Sequence, residues 1–267
     1  MSKRRRIIQR IISVGIMIFG LSMIVYLKAA ERQGNAYVSY LTANTKELLK
    51  DLDESTVNEM YSDAVDFNKT LLTIPNRWNM SEELTEQYEA CLDISGTGLM
   101  GTIDIPTIDT HVPIYHGTAS RVLQAGAGHM EGSSLPIGGP NTHAVLAAHT
   151  GTIETLFTKL DEMTIGDIFY INILEKTLCY KVSDIKVVLP TETQCLEIQP
   201  EKDLVTLITC TPPGINSHRL VVTGERTETE NVIMRQSKRI SHMEIWFVCG
   251  LSIFSIVIGY MIRKSMK

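Results

Sequence analysis

Between Met100 and Gly224 the chain breaks into short runs of β-forming residues, and this texture limits the fold more than any other feature. The runs are "MGTIDIP", "HVPIYHG", "HAVLAAH", "DIFYINIL", "LCYKVSDIKVVLP", "VTLITC" and "HRLVVTG", separated by Gly, Pro and Asn clusters. Short strands at such spacing predict a barrel or sandwich rather than βαβ units. One helical patch is expected to interrupt them, "IETLFTKLDEM" (Ile153–Met163), with Leu156, Phe157 and Leu160 on one face. No internal repeat or low-complexity tract is present.

Two uncharged apolar runs bracket this region. Residues 11–27 form a run of 17, and Ile245–Ile262 form one of 18, with Trp246 and Tyr260 near its ends. Both lengths fit a bilayer span, the first at the short end unless Arg10 snorkels. Lys3, Arg4, Arg5, Arg6 and Arg10 precede the first run, and Arg263, Lys264 and Lys267 follow the second. The positive-inside rule then places both tails in the cytoplasm, although Arg235, Lys238 and Arg239 lie on the opposing side. A cleaved signal peptide is the other reading of the first run, but "YLKAAERQG" holds no convincing small-residue exit.

The residues between the anchors, 31–240, carry 16 Lys and Arg against 29 Asp and Glu, a net charge of −13. Such a domain is a poor partner for nucleic acid or anionic surfaces and tolerates a substrate bearing a Lys amine. Cys91, Cys179, Cys195, Cys210 and Cys249 are odd in number and lack metal-ligand spacing. Zinc is disfavoured, and a free thiol becomes a question. Pairing among Cys91, Cys179 and Cys195 stays open.

Residues 31–73 read as helical. Asn44 and Glu47 resemble a capping pair, and Val57, Met60, Tyr61, Ala64 and Phe67 recur at helical spacing. This predicts a helical stalk or a pack-on element. "IPNRWNM" (74–80) breaks the pattern. The expected layout is 1–30 tail and anchor, 31–95 helical extension, 96–228 β domain, 229–244 connector and 245–267 second anchor.

The chemistry concentrates in "VTLITCTPPGINSHRLVVTG" (Val205–Gly224), where Cys210 ends one strand and Arg219 opens the next. Strand ends beside Pro-Gly loops hold the backbone while exposing a side chain. A nucleophilic Cys needs a His or a cation beside it, because an ordinary thiol is only a few per cent thiolate at neutrality. His149 ends "HAVLAAH" much as Cys210 ends its strand, and His143, six residues earlier, faces the same way on an unbroken strand. His116 and His129, in Gly-rich loops, fit equally by composition. Arg219 stays protonated, so it can lower a thiol pKa or stabilise an oxyanion but cannot act as base.

"TLITC" followed by "TPPGINSHRL" resembles the sortase signature. "IPTIDTHVPIYHGT", "GAGHMEGSSLPIGG" and "LFTKLDEMTIGDIFYI" resemble class C sortases, the pilin-polymerising group, over roughly residues 96–226. The resemblance implies a mainly β fold, an eight-stranded sortase barrel with a helical N-terminal extension and a transmembrane helix at each end. It implies Cys210 as nucleophile, His149 as acid/base and Arg219 as oxyanion or substrate clamp. The implied reaction cleaves a sorting signal of the Leu-Pro-X-Thr-Gly type through a thioester and passes the acyl group to an amine, usually that of a pilin Lys. The implied partners are pilin or surface proteins carrying that C-terminal signal, an amine acceptor and the lipid bilayer, with no metal or organic cofactor.

Three departures touch the rim of the implied site. "IPNRWNM" supplies Trp78 as a substitute lid residue without the usual Asp-Pro. Pro213 stands where an aromatic is common. Thr150-Gly151 replaces Arg-Gly. Three other readings compete. A papain-like hydrolase places Cys before His, the reverse of the order here. A sortase attaching proteins to peptidoglycan would share the barrel motifs. A non-enzymatic surface module would leave Cys210 inert.

Overall fold

A computed structural model describes residues 12–26, 52–150 and 156–228. The chain divides into the units Met1–Asn231 and Val232–Lys267, and all described residues belong to the first. Helix α1 covers 12–26 and its apolar side chains are largely exposed. Among the described residues, no helix is long and apolar enough to cross a membrane. The second apolar run and the Asn44–Glu47 pair lie outside the described residues, as does the 229–244 connector.

Eight strands close a barrel in the order β1-β2-β3-β4-β7-β8-β6-β5. They are β1 (Leu99–Ile105), β2 (Thr110–His116), β3 (Ala127–His129), β4 (Thr142–Ala147), β5 (Ile168–Ile173), β6 (Lys176–Val188), β7 (Asp203–Thr211) and β8 (His218–Arg226). Seven match the apolar runs read in the sequence. The eighth, β3, is only three residues long and pairs parallel to β2, too short to carry an alternating pattern. Alternation fills the barrel: Ile103, Phe169, Ile171, Val205, Leu207, Leu220 and Val222 belong to one buried core.

The two helices that follow α1 pack onto that core. In α2 (Glu54–Leu71), Asp53 caps the first turn by accepting from the Thr56 amide, and Val57, Ala64 and Phe67 are buried. Asn68 fastens the helix to the barrel, donating to the Leu135 carbonyl at 3.1 Å and accepting from its amide at 2.7 Å. A separate helix that the sequence pattern did not reveal, α3 (Glu82–Ala90), is capped by Ser81 and buries Tyr88.

The expected helical patch at 153–163 is corrected over its described part. Residues 156–163 hold only a 3-10 turn, Leu160–Glu162. Leu156, Phe157, Leu160 and Met163 are all buried, and the Phe157 amide donates to the His149 carbonyl. Four apolar side chains within eight residues must enter the core, and this backbone is tied to the end of β4 rather than coiled on itself.

Candidate active site

Strands β7 and β8 set Cys210 directly opposite Arg219. Their Cα atoms are thus about 5 Å apart, the spacing of facing residues in an antiparallel pair. On the far side of β8, Arg219 faces Val188 of β6. On the far side of β7, β4 runs parallel with Ala147 matched to Ile208. The Ala148 amide extends that ladder to the Ile208 carbonyl at 3.1 Å, and the Thr209 hydroxyl donates to the Ala148 carbonyl at 2.8 Å. Continued two residues past the end of β4, that register runs from Ala147 and Ile208 toward His149 and Cys210. Val188, Arg219 and Cys210 therefore form one row across three adjacent strands, and His149 follows just past the end of the fourth.

The row lies on the outside of the barrel. Residues two apart on a strand share a face. Cys210 thus shares its face with Ile208, and Arg219 with Val221, both of which belong to a small cluster separate from the main core. Cys210, Arg219 and His149 are all half-buried. The guanidinium of Arg219 is steadied through Nη1, which donates to the carbonyls of Asn216 at 3.1 Å and His218 at 3.0 Å. The β7–β8 loop, which supplies the Asn216 carbonyl, begins at a cis Thr211–Pro212 bond.

The other candidate histidines, His143, His129 and His116, are occupied elsewhere. His143 lies within β4, but the strand ends at Ala147, so the expected unbroken strand from His143 to His149 does not exist. His143 is fully buried and bonded to Thr206 and to the Glu197 carbonyl. His129 is sealed in the core, its ring within 3.0 Å of the Tyr88 hydroxyl, and burial pushes its pKa down to about 4. His116 braces α3 through the Cys91 carbonyl at 2.8 Å. The four cysteines among the described residues are free thiols, and burial pushes Cys91 up to about 11. The pairing that the sequence left open for Cys91, Cys179 and Cys195 is absent among the described residues.

Trp78 is half-buried against the outer cluster of Val145, Leu196, Ile208 and Val221. Its neighbour Arg77, which the sequence reading missed, is 7% exposed. Arg77 Nη2 donates to the Leu196 carbonyl at 2.9 Å and pairs with Glu197 Oε2 at 3.1 Å, while its Cζ sits 4.6 Å from the Trp78 ring centroid. Its Nε is buried without a hydrogen-bond partner. Gly132 lets this segment approach: at φ +82°, an added Cβ would lie 2.3 Å from the Arg77 carbonyl oxygen. An Arg preceding a Trp inside a polar loop was the only sequence signal for this contact.

An open groove of about 540 Å³ continues along the same outer face from Val188 to Lys202, Thr223 and Glu225. A second cavity, about 310 Å³, lies between Arg77, Trp78 and the Glu197–Pro200 stretch. Among the described residues no cluster of His, Cys, Asp or Glu is placed to hold a metal ion.

The family model of the sortase domain matches residues 103–227. Among solved structures, sortase C1 from Streptococcus agalactiae is 39% identical with a TM-score of 0.69, over 72% of this chain and 100% of that one. Clostridium perfringens sortase C, solved with the C-terminal cell wall sorting motif, is 40% identical with a TM-score of 0.63, over 71% of this chain and 99% of that one. Sortase A of Streptococcus agalactiae is 29% identical over 158 residues, 55% of this chain and 63% of that relative's length.

Proposed function

The chain belongs to the sortase family, whose members are cysteine transpeptidases, and from that premise we propose that it polymerises pilins. In this reading it cleaves a Leu-Pro-X-Thr-Gly-type signal through a thioester on Cys210 and transfers the acyl group to a pilin Lys. The observation that carries the reading is the pairing of Cys210 with Arg219 on the outer face, with His149 just past the end of the neighbouring β4. The likeness to two class C structures supports the pilin acceptor.

In the proposed cycle, Cys210 Sγ attacks the Thr carbonyl carbon and the C–N bond to Gly breaks. Charge develops on the carbonyl oxygen. The Nε–Nη2 edge of Arg219 is suited to donate to it, because the backbone carbonyls occupy Nη1. His149 gives its proton to the departing amine. It then takes one from the incoming Lys amine, which attacks the thioester and releases the Cys210 thiolate. The thioester splits one amide exchange into two easier steps.

Trp78 is the proposed lid. It covers Val145, Ile208 and Val221, the apolar surface nearest Cys210, where the Leu of a sorting signal would rest. The proposed setting is the outer face of a Gram-positive membrane, with residues 11–27 and 245–262 as anchors and both termini cytoplasmic.

The test uses the full-length chain in detergent, a library of Leu-Pro-X-Thr-Gly-type peptides and two acceptors, a pilin domain with its Lys and a peptidoglycan stem peptide. An isopeptide bond to the pilin Lys is expected. Transfer only to the stem peptide contradicts the pilus reading, and no cleavage of any peptide contradicts the transpeptidase reading.

A further inference from the structure

We propose that His143 and Thr206 form a polar bridge that positions the β6–β7 loop and thereby sets preference for a large apolar residue in the substrate. The inference rests on the reading of Cys210 as the nucleophile. His143 sits on the outer face of β4, two residues before Val145. Its partners assign its protons. The Glu197 carbonyl, 2.9 Å from Nδ1, only accepts, so Nδ1 carries the hydrogen. Nε2 then accepts from the Thr206 hydroxyl at 2.6 Å. Thr206 in turn accepts from the Thr223 hydroxyl at 2.8 Å. Burial lowers the pKa of His143, which keeps this neutral form.

The chain of bonds thus runs from β8 through β7 and β4 to the loop at Glu197. The residue before Glu197 is Leu196, 4% exposed and packed with Val145, Ile208 and Val221. Ile208 stands two residues from Cys210 on the same face. When Trp78 departs, Leu196 remains as the loop's contribution to this apolar surface, because His143 holds Glu197 from the barrel side. Arg77 holds the same two residues from the other side, but it belongs to the segment that leaves with Trp78. The bridge also gives the first Thr of "TLITC" a task distinct from catalysis.

The experiment compares full-length wild-type enzyme with His143→Phe, Thr206→Val and His143→Asn, on peptides bearing Leu or Ala at the first signal position. His143→Phe fills the site without either bond. Thr206→Val keeps the imidazole and breaks the bridge from the other end, so it serves if His143→Phe does not fold. Both are expected to raise KM for the Leu peptide about tenfold and to pull the Leu-over-Ala preference, on the order of 10–200-fold, toward unity. Alkylation of Cys210 by a small reagent should stay within about twofold. His143→Asn retains a donor for the Glu197 carbonyl and should recover much of the preference. A loss of thermal stability with the Leu preference intact overturns the inference and leaves a purely structural role. Activity in Cys210→Ala would instead overturn the underlying reading of the site.

Discussion

Replacing Trp78 by Ala tests whether the cover over the outer cluster limits access to Cys210. Truncating a fully buried Trp costs about 3–5 kcal/mol. Trp78 is half-buried, so roughly half of that, ~2 kcal/mol, is lost from the closed arrangement. The Arg77 stack at 4.6 Å goes with it and is worth about 0.5–1 kcal/mol at a partly exposed site. The open arrangement makes neither contact, so the combined loss of about 2.5–3 kcal/mol falls on the closed one and the open population rises on the order of 100-fold. Cys210 is already half-exposed to small molecules, so the assay uses a peptide-sized thiol reagent. Its second-order rate with Cys210 should rise about 30- to 100-fold, and KM for a sorting-signal peptide should fall. An unchanged rate with the large reagent would falsify the lid reasoning, whatever happens to stability.

Three other outcomes follow from the same geometry. Arg219→Ala should lower turnover about 10²- to 10³-fold while leaving Cys210 alkylation intact, as expected for loss of an oxyanion donor; unchanged peptide turnover removes Arg219 from the mechanism. Gly132→Ala places a Cβ 2.3 Å from the Arg77 carbonyl oxygen at φ +82°. It should push the 75–80 segment outward, seen as faster labelling of Cys210 by the large reagent and a melting temperature lower by a few degrees, about 1 kcal/mol. His129 is lowered from 6.5 to about 4 by burial, and His143 is lowered too. The unfolded chain therefore binds more protons as pH falls below 6.5. Their contribution to stability is complete above that value and is lost on acidification toward about 4, by roughly 3 kcal/mol from His129 alone. Urea midpoints that hold steady or rise from pH 6.5 to 4 would contradict this.

The barrel was legible because seven of its strands carry short runs rich in β-branched and aliphatic residues. β3 was not, since three residues cannot show alternation, and α3 was hidden in "EELTEQYEA", where only Leu84 and Tyr88 are buried. "IETLFTKLDEM" misled for the opposite reason. Its apolar spacing was real, but those side chains plug the core through a 3-10 turn. Cys210 and Arg219 were readable together because a single hairpin sets their register. His149 was one of several histidines until a resemblance singled it out, because β4 and β7 pair in parallel across about sixty residues of sequence. Arg77 gripping Leu196 and Glu197 spans 119 residues in the case of Leu196, and no local pattern encodes such a contact.

The proposed transpeptidation passes through an acyl-enzyme at one sulfur. Incubating the full-length chain with a sorting-signal peptide, without acceptor, and measuring intact mass after acid quench tests this directly. An adduct equal to the acyl portion up to Thr, mapped to Cys210, discharged by an added amine and absent in Cys210→Ala, is the predicted result. Cleavage of the peptide with no adduct, or with an adduct that persists in Cys210→Ala, would contradict it.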